Sequence, residues 1–348
     1  MQPPSTAALG RLEHLPRVTL LGAPTLLEPM ENLSRAHGGA ALWVKRDDAM
    51  GLAFGGNKVR QLEFYLGAAR AEGADTVLIT GAVQSNFARL AAAGARRLGM
   101  QIHIQQEERV AKDDPRYRRS GNVLLEHLLG ATIHSYPEGE DEAGADANLH
   151  RIADELRGGG RRPYIIPLAP GHPPLGALGY VRAAGELLEQ MAGNPAPDEI
   201  VVASGSGNTH AGLLFGLRAR GCGIPVLGVC VRRQAEPQRP RISTRCAQIA
   251  DLLEIPNPVT EDDVMVDDSF LPPGYGHAGT ATLEAILLAA RTEALILDPT
   301  YTGKTMAGAL ARATHWGPGR TVLFIHTGGT PAVFAYEQDL MAAVEDAH

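Results

Sequence analysis

The chain has 348 residues, 44% of them apolar, with a formal charge of -7, so it is long enough for one large or two moderate domains, and its acidic balance argues against a nucleic-acid partner. No stretch approaches the roughly 18 consecutive apolar residues of a bilayer-spanning helix, so no membrane partner is expected. Three cysteines, Cys222, Cys230 and Cys246, form no Cys-x-x-Cys pair and point to a reducing, cytoplasmic setting.

The first residues, with Pro3 and Pro4, read as irregular, and the first clear strand is 41–45. After Asp47-Asp48 comes Phe54-Gly55-Gly56-Asn57-Lys58-Val59-Arg60, a tight glycine turn that delivers a lysine to the start of a helix with apolar residues at Leu62, Tyr65, Leu66 and Ala69. Only four of the 32 basic residues are lysines: Lys45, Lys58, Lys112 and Lys304. An amine can form a Schiff base and a guanidinium cannot. A lysine kept at a glycine turn is therefore a candidate nucleophile, the alternative being a surface lysine at a helix start.

A strand at 76–80 ends in Gly81, and Ser85-Asn86 open an alanine-rich helix that reaches about residue 98, with Ser85 in the N-cap position. A strand at 101–105, a helix at 122–129 and a strand at 131–134 follow. The polar stretches 107–119 and 138–146 read as surface loops. The breaks at 158–162 and 167–174 interrupt the pattern, the second marking a boundary between lobes. Strands alternating with helices predict parallel sheets covered by helices.

A stronger unit begins with a strand at 199–203, continues through Ser204-Gly205-Ser206-Gly207-Asn208-Thr209 and ends in a helix at 211–220. Such a turn offers backbone N–H groups and hydroxyls to a phosphate. It lacks the Gly-Lys-Ser/Thr of a P-loop and the spacing of the dinucleotide fingerprint, so a phosphate monoester fits best. Beyond a strand at 226–231, the arginines of 232–245 are interrupted by Glu236, Pro237 and Pro240 and read as a solvated loop, the alternative being a phosphate-binding strip, before a helix at 242–253. Tyr275 lies in a Pro-Gly-Tyr-Gly turn and Tyr301 in Asp298-Pro299-Thr300-Tyr301-Thr302-Gly303-Lys304. A strand at 321–326 ends in Thr327-Gly328-Gly329-Thr330. Polar groups thus recur at the carboxyl ends of strands, where open α/β sheets bind ligands. A lone amine and a separate phosphate cradle suit pyridoxal 5'-phosphate.

Taken with Gly81-Ala82-Val83-Gln84-Ser85-Asn86 and His326-Thr327-Gly328-Gly329-Thr330-Pro331-Ala332, these motifs span about residues 41–336 in unbroken order. They resemble those of the D-cysteine desulfhydrase and 1-aminocyclopropane-1-carboxylate (ACC) deaminase family, pyridoxal-phosphate enzymes of the tryptophan-synthase-β type (fold type II). The resemblance implies a two-lobed α/β fold, each lobe a mostly parallel sheet covered by helices. The large lobe would comprise 1–60 and 172–348 and the small lobe 61–171, in a homodimer acting on a small amino acid. It implies Lys58 as the Schiff-base lysine, with Asn57, Asn86, Ser206, Gly207, Asn208, Thr209 and Thr302 as cofactor contacts. Ser85, Tyr275 and Tyr301 would join Lys58 in catalysis, and Ser85, Asn86, Phe87 and Thr327 would face the substrate. No metal is implied.

Within the resemblance, ACC deaminases typically carry glutamate where this chain has Thr302 and leucine where it has Thr327, which makes it similar to the desulfhydrases. A carboxylate at the pyridine nitrogen favours the protonated ring, a strong electron sink that opening a cyclopropane needs and expelling hydrosulfide does not. The expected reaction is α,β-elimination, with D-cysteine giving pyruvate, sulfide and ammonia. Cysteate sulfo-lyase and ACC deaminase activity are the alternatives, together with a degenerate protein that binds a phosphorylated ligand without catalysis. One departure stands out: Phe87 occupies the position of a histidine in desulfhydrases and a glutamine in ACC deaminases. His277, after the Gly-Tyr-Gly turn, either compensates for it or is an exposed loop histidine.

Overall fold

The computed structural model describes residues 9–168, 171–194 and 196–347. Pro3 and Pro4 lie outside the described residues, as do Ala169 and Pro170 in the 167–174 break. Among the described residues ten strands form two sheets: β1 (Leu27–Pro29), β2 (Ala41–Lys45), β3 (Thr76–Ala82), β4 (Gln101–Glu107), β5 (Thr132–Tyr136), β6 (Pro163–Ile166), β7 (Glu199–Ser204), β8 (Val226–Cys230), β9 (Met265–Asp267) and β10 (Thr321–Ile325). The six-stranded sheet runs β1-β2-β10-β7-β8-β9 and the four-stranded sheet β5-β4-β3-β6. All pairings are parallel except that of β1 with β2. Central strands β3 and β7 are buried at every residue, as expected of parallel strands covered on both faces.

The helices are α1 (Gly10–His14), α2 (Glu31–His37), α3 (Lys58–Ala71), α4 (Asn86–Arg97), α5 (Pro115–Arg119), α6 (Gly121–Leu128), α7 (Glu142–Gly158), α8 (Ala177–Met191), α9 (Asn208–Arg218), α10 (Ala235–Leu253), α11 (Thr280–Glu293), α12 (Thr302–Trp316), α13 (Thr330–Val333) and α14 (Glu337–Asp346). Helices α8, α9 and α10 bury Tyr180, Leu214, Phe215, Ile242 and Ile249 on one face of the larger sheet. Helices α11 and α12 cover the other through Ile286, Met306 and Leu310. Leu62 and Leu66 of α3 and Leu90 of α4 pack with Val77, Ile79 and Ile104 of the smaller sheet.

Three segments expected as loops are ordered. Residues 107–119 end in α5, and 138–146 contain the start of α7. The arginine-rich stretch 232–245 enters α10 at Ala235, well before the expected residue 242. Pro237 sits in the first turn, where no intrahelical N–H bond is needed. Pro240 forfeits one bond, which the burial of Ile242, Cys246, Ile249 and Leu253 offsets.

Beneath the start of α3 lies a buried ionic cluster. Arg60 donates to Asp47 at 2.9 and 3.0 Å and to Glu186 of α8 at 2.7 and 2.8 Å, and Lys45 pairs with Glu186 at 2.5 Å. The cluster fixes the helix that carries Lys58 to β2 and α8.

Candidate active site

Two glycine turns meet back to back at the base of the cleft. Gly56 (φ 118°) and Gly328 (φ 95°) approach so closely that a Cβ on Gly328 would lie 2.6 Å from the Gly56 Cα, and the Asn57 N–H donates to Thr327 O at 3.0 Å. This contact places Lys58 at the first turn of α3, facing the carboxyl ends of both sheets.

The other lysines are all engaged: Lys45 with Glu186, Lys112 with Asp339, and Lys304 with the carbonyls of Leu271 (2.6 Å) and Gly274 (2.7 Å). Among the described residues Lys58 Nζ has no hydrogen-bond or ion-pair partner. Its neighbour is the Phe87 ring, 5.0 Å from Nζ to centroid. Burial without a counter-charge lowers its pKa to about 8.

Facing Lys58 is the turn between β7 and α9. Gly207 adopts a left-handed conformation (φ 97°) at the N-cap, and the first-turn N–H groups of α9 have no intrahelical acceptor. Thr209 Oγ1 accepts from Asn57 Nδ2 at 2.8 Å and from Gln61 Nε2 at 2.9 Å, which ties the cradle to the lysine turn. Asn208 is turned away toward the Tyr65 hydroxyl (3.4 Å).

On the third side, Ser85 caps α4 by accepting from the Ala88 N–H at 3.1 Å, which leaves its own proton free to donate into the cleft. Asn86 Oδ1 is held by Asn122 Nδ2 at 2.9 Å. The Tyr275 and Tyr301 hydroxyls lie 2.7 Å apart, and burial together with the neighbouring phenol holds the Tyr301 proton well above its ordinary range. Asp298 positions Tyr301 by accepting its backbone N–H at 2.9 Å, and the carbonyl bonds of Lys304 fix the turn that carries Tyr275.

Most of the residues expected from the sequence therefore meet. Asn57, Lys58, Ser85, Asn86, Phe87, Ser206, Gly207, Thr209, Tyr301 and Thr327 line a cleft of about 530 Å³, and Tyr275 lines its continuation. Asn208 and Thr302 are not among the lining residues. The Thr302 hydroxyl donates to Asp298 Oδ1 at 2.7 Å and accepts from the Asp298 N–H at 2.7 Å. His277 is an exposed loop residue.

The sequence reading missed Arg109, Glu142, Arg232 and Arg241, which line the continuation of the cleft. All four fall in stretches read as solvated loops. Charge and proline content are the only local signals there, and neither tells a solvated arginine from one folded against a cavity.

Residues 18–328 match the sequence profile of the pyridoxal-phosphate dependent enzyme family. The chain is 40% identical over 333 residues to the D-cysteine desulfhydrase of Salmonella choleraesuis (strain SC-B67), covering 94% of this chain and 98% of the relative. It is also 40% identical, over 332 residues and with the same coverage, to the 1-aminocyclopropane-1-carboxylate deaminase of Burkholderia vietnamiensis (strain G4 / LMG 22486). The crystal structure of an ACC deaminase homologue superposes with a TM-score of 0.85 at 34% identity, covering 99% of this chain and 100% of that one. The site fits the cofactor that this family uses: an unpaired amine for an aldehyde and unsatisfied helix N–H groups for a phosphate share one cleft. The chain belongs to the pyridoxal-phosphate dependent enzymes, in the D-cysteine desulfhydrase and ACC deaminase family with its two-lobed, tryptophan-synthase-β-like fold.

Proposed function

We propose that this protein catalyses α,β-elimination on a small β-substituted amino acid, releasing pyruvate and ammonia, with D-cysteine among its substrates. The observation that carries the reading is the unpaired amine of Lys58 in one cleft with the Ser206–Thr209 cradle and the Tyr275–Tyr301 pair. When bound, pyridoxal phosphate supplies an electron-withdrawing ring that accepts the electron pair left as the Cα proton departs.

The chain's own groups do the rest. With a pKa near 8, Lys58 has a substantial neutral fraction at mildly alkaline pH, so its Nζ can hold the cofactor and, once freed by the substrate amine, take the Cα proton. The Ser85 hydroxyl and the Asn86 side chain, at the N-terminus of α4, receive the substrate carboxylate. The Tyr301 phenol keeps its proton and, through Tyr275, donates to the departing β-substituent. Phe87 sets an apolar ring beside the amine, 5.0 Å from Nζ to centroid, and offers it no hydrogen bond.

Cysteine then splits into hydrogen sulfide and 2-aminoacrylate, and one water converts the latter to pyruvate and ammonium. Thr302, a neutral hydroxyl spent on Asp298, favours elimination over cyclopropane opening. The reading extends to the assembly: residues 1–60 and 172–348 as the large lobe, 61–171 as the small lobe, and a cytoplasmic homodimer.

The test is a pyruvate, 2-oxobutyrate and sulfide assay over D- and L-amino acids with wild-type protein and Lys58→Ala. Pyruvate from D-cysteine in the wild type, and loss of both turnover and the visible cofactor absorbance in the variant, are expected. A Lys58→Ala protein that keeps both contradicts the assignment.

A further inference from the structure

Helix α7 does more than bring Glu142 to the cleft. Its buried residues Leu149, Ile152 and Ala153 pack with Leu78 of β3 on the smaller sheet. Glu142, Asp146 and His150 follow one another at four-residue spacing, so they lie one above the next along a different face of the helix. Glu142 receives Arg232, Arg233 and Arg241. Beyond it, Asp146 and His150 meet His172, in the segment that leads into α8.

The three side chains converge. His172 Nε2 lies 2.9 Å from Asp146 Oδ2, and the His150 and His172 rings stack with centroids 6.5 Å apart and planes inclined by 21°. One donor atom from each side chain falls within 4.8 Å of the other two. Among the described residues, no other three histidine, cysteine or acidic side chains come together in this way. A hydrogen bond between Asp146 and His172 accounts for that pair and leaves His150 out: its exposed ring has no hydrogen-bond partner among the described residues.

A metal ion held by nitrogen and oxygen at about 2.1 Å sets neighbouring donors about 3 to 3.5 Å apart. The Asp146 and His172 atoms are already near that spacing, and rotation of the exposed His150 side chain closes the rest. The frame around the donors is firm. Asp146 and His150 stand on a 17-residue helix, Arg245 of α10 donates to the His172 carbonyl at 2.8 Å, and Pro173-Pro174 stiffen the chain that follows. The donor set also selects the ion. Two imidazoles and one carboxylate suit zinc, nickel or cobalt, whereas magnesium and calcium seek oxygen alone. Three protein ligands at a half-exposed position leave room for water to complete the coordination.

We propose that Asp146, His150 and His172 bind a divalent transition-metal ion of the zinc class, and that the ion fastens α7 to the segment entering α8. Helix α7 packs on the smaller sheet and α8 on the larger, so the ion ties the two sheets together at a point outside the lysine cleft, which none of its three ligands lines. The site is independent of the elimination reading, because no group assigned to that reaction is a ligand.

The experiment is calorimetry with zinc chloride, and separately with magnesium chloride, on cofactor-loaded wild type, His150→Ala and His172→Ala, alongside thermal unfolding. The wild type is expected to bind one zinc ion per chain, and magnesium about 100-fold more weakly or not at all. Each variant should bind zinc about 30-fold more weakly than the wild type. His150 is exposed, so His150→Ala should keep the visible cofactor absorbance, which shows that the chain is folded. Zinc at about one hundred times its wild-type Kd should raise the wild-type Tm by about 3 °C and that of either variant by no more than about 1 °C. Absence of zinc binding, magnesium binding as tight as that of zinc, or a zinc affinity unchanged in either variant overturns the site, the last marking adventitious binding elsewhere on the surface. Tight zinc binding that leaves the wild-type Tm unmoved overturns the fastening of α7.

Discussion

Lys58 is a half-buried amine with no counter-charge beside it. Its pKa of about 8 lies below the ordinary 10.5 of a lysine, so between those values the unfolded chain binds a proton that the native chain does not. Stability of the cofactor-free protein therefore rises with pH across that window, and below about pH 8 the half-buried, unpaired charge is a standing cost. Lys58→Met removes the cost. In chemical denaturation at pH 7 the cofactor-free variant should be more stable than the wild type by about 2 kcal/mol, the full shift being discounted because the cleft admits water, and the advantage should vanish toward pH 10.5. The same titration governs loading, so the rate of cofactor uptake, followed by absorbance, should rise with an inflection near pH 8. Ser85 serves two purposes that substitution can separate. Ser85→Ala loses the cap as well as the hydroxyl, costing about 1 kcal/mol, and Ser85→Gly keeps stability within a few tenths of that of the wild type. Both should lower kcat by about 100-fold or more. At this scale the site was legible: a scarce lysine at a glycine turn and a serine at a helix start are local signals.

The elements explain why Lys58 points where it does. The Gly55-Gly56 turn and the Gly328-Gly329 turn share one contact, so any side chain at Gly328 must push the lysine turn away. Gly328→Ala adds a Cβ at positive φ against backbone, and should cost about 2 kcal/mol or more in thermal or denaturant unfolding while weakening the cofactor band. Turns of this kind announce themselves in sequence, because glycine pairs between a strand and a helix have few other uses. The arginine wall does not. Arg109 follows β4, Arg232 follows β8, Arg241 lies on α10 and Glu142 opens α7, and nothing local says that these four ends converge. The prolines of 232–245 pointed to a loop, but one falls where a helix needs no N–H and the other is outweighed by the apolar face behind it. Thr302 shows the reverse: its motif was conspicuous in sequence and it was expected as a cofactor contact, yet at the start of α12 its hydroxyl is consumed by Asp298.

Across the whole molecule, two sheets aim their strand ends at one cleft, and the contacts that hold this arrangement lie under and around it. Arg60, Asp47, Glu186 and Lys45 join α3, β2 and α8 in a buried network with few water-exposed atoms. Removing one partner leaves charges stranded, so Arg60→Met should destabilise by about 3 kcal/mol, well beyond the loss of a surface pair. A cofactor held by Lys58 and the Ser206–Thr209 turn would link α3 to α9 and should add its binding energy to folding, about 2.7 kcal/mol at a free concentration one hundred times Kd, visible as a rise in Tm that Lys58→Ala diminishes. Parallel sheets were legible from strand-helix alternation, because continuous apolar runs such as β7 leave little other choice. Which helix covers which face, and that α7 would reach the arginines of α10, are consequences of chain crossings between lobes and have no local signature.

One amine decides the chemistry of this cleft. Borohydride reduction of the cofactor-loaded protein converts any lysine-held cofactor into a stable pyridoxyl-lysine, and with only four lysines in the chain, peptide mass spectrometry assigns it unambiguously. The pyridoxyl group is expected on Lys58 and on none of Lys45, Lys112 and Lys304; a label on one of those three, or on no lysine at all, would contradict Lys58 as the anchor.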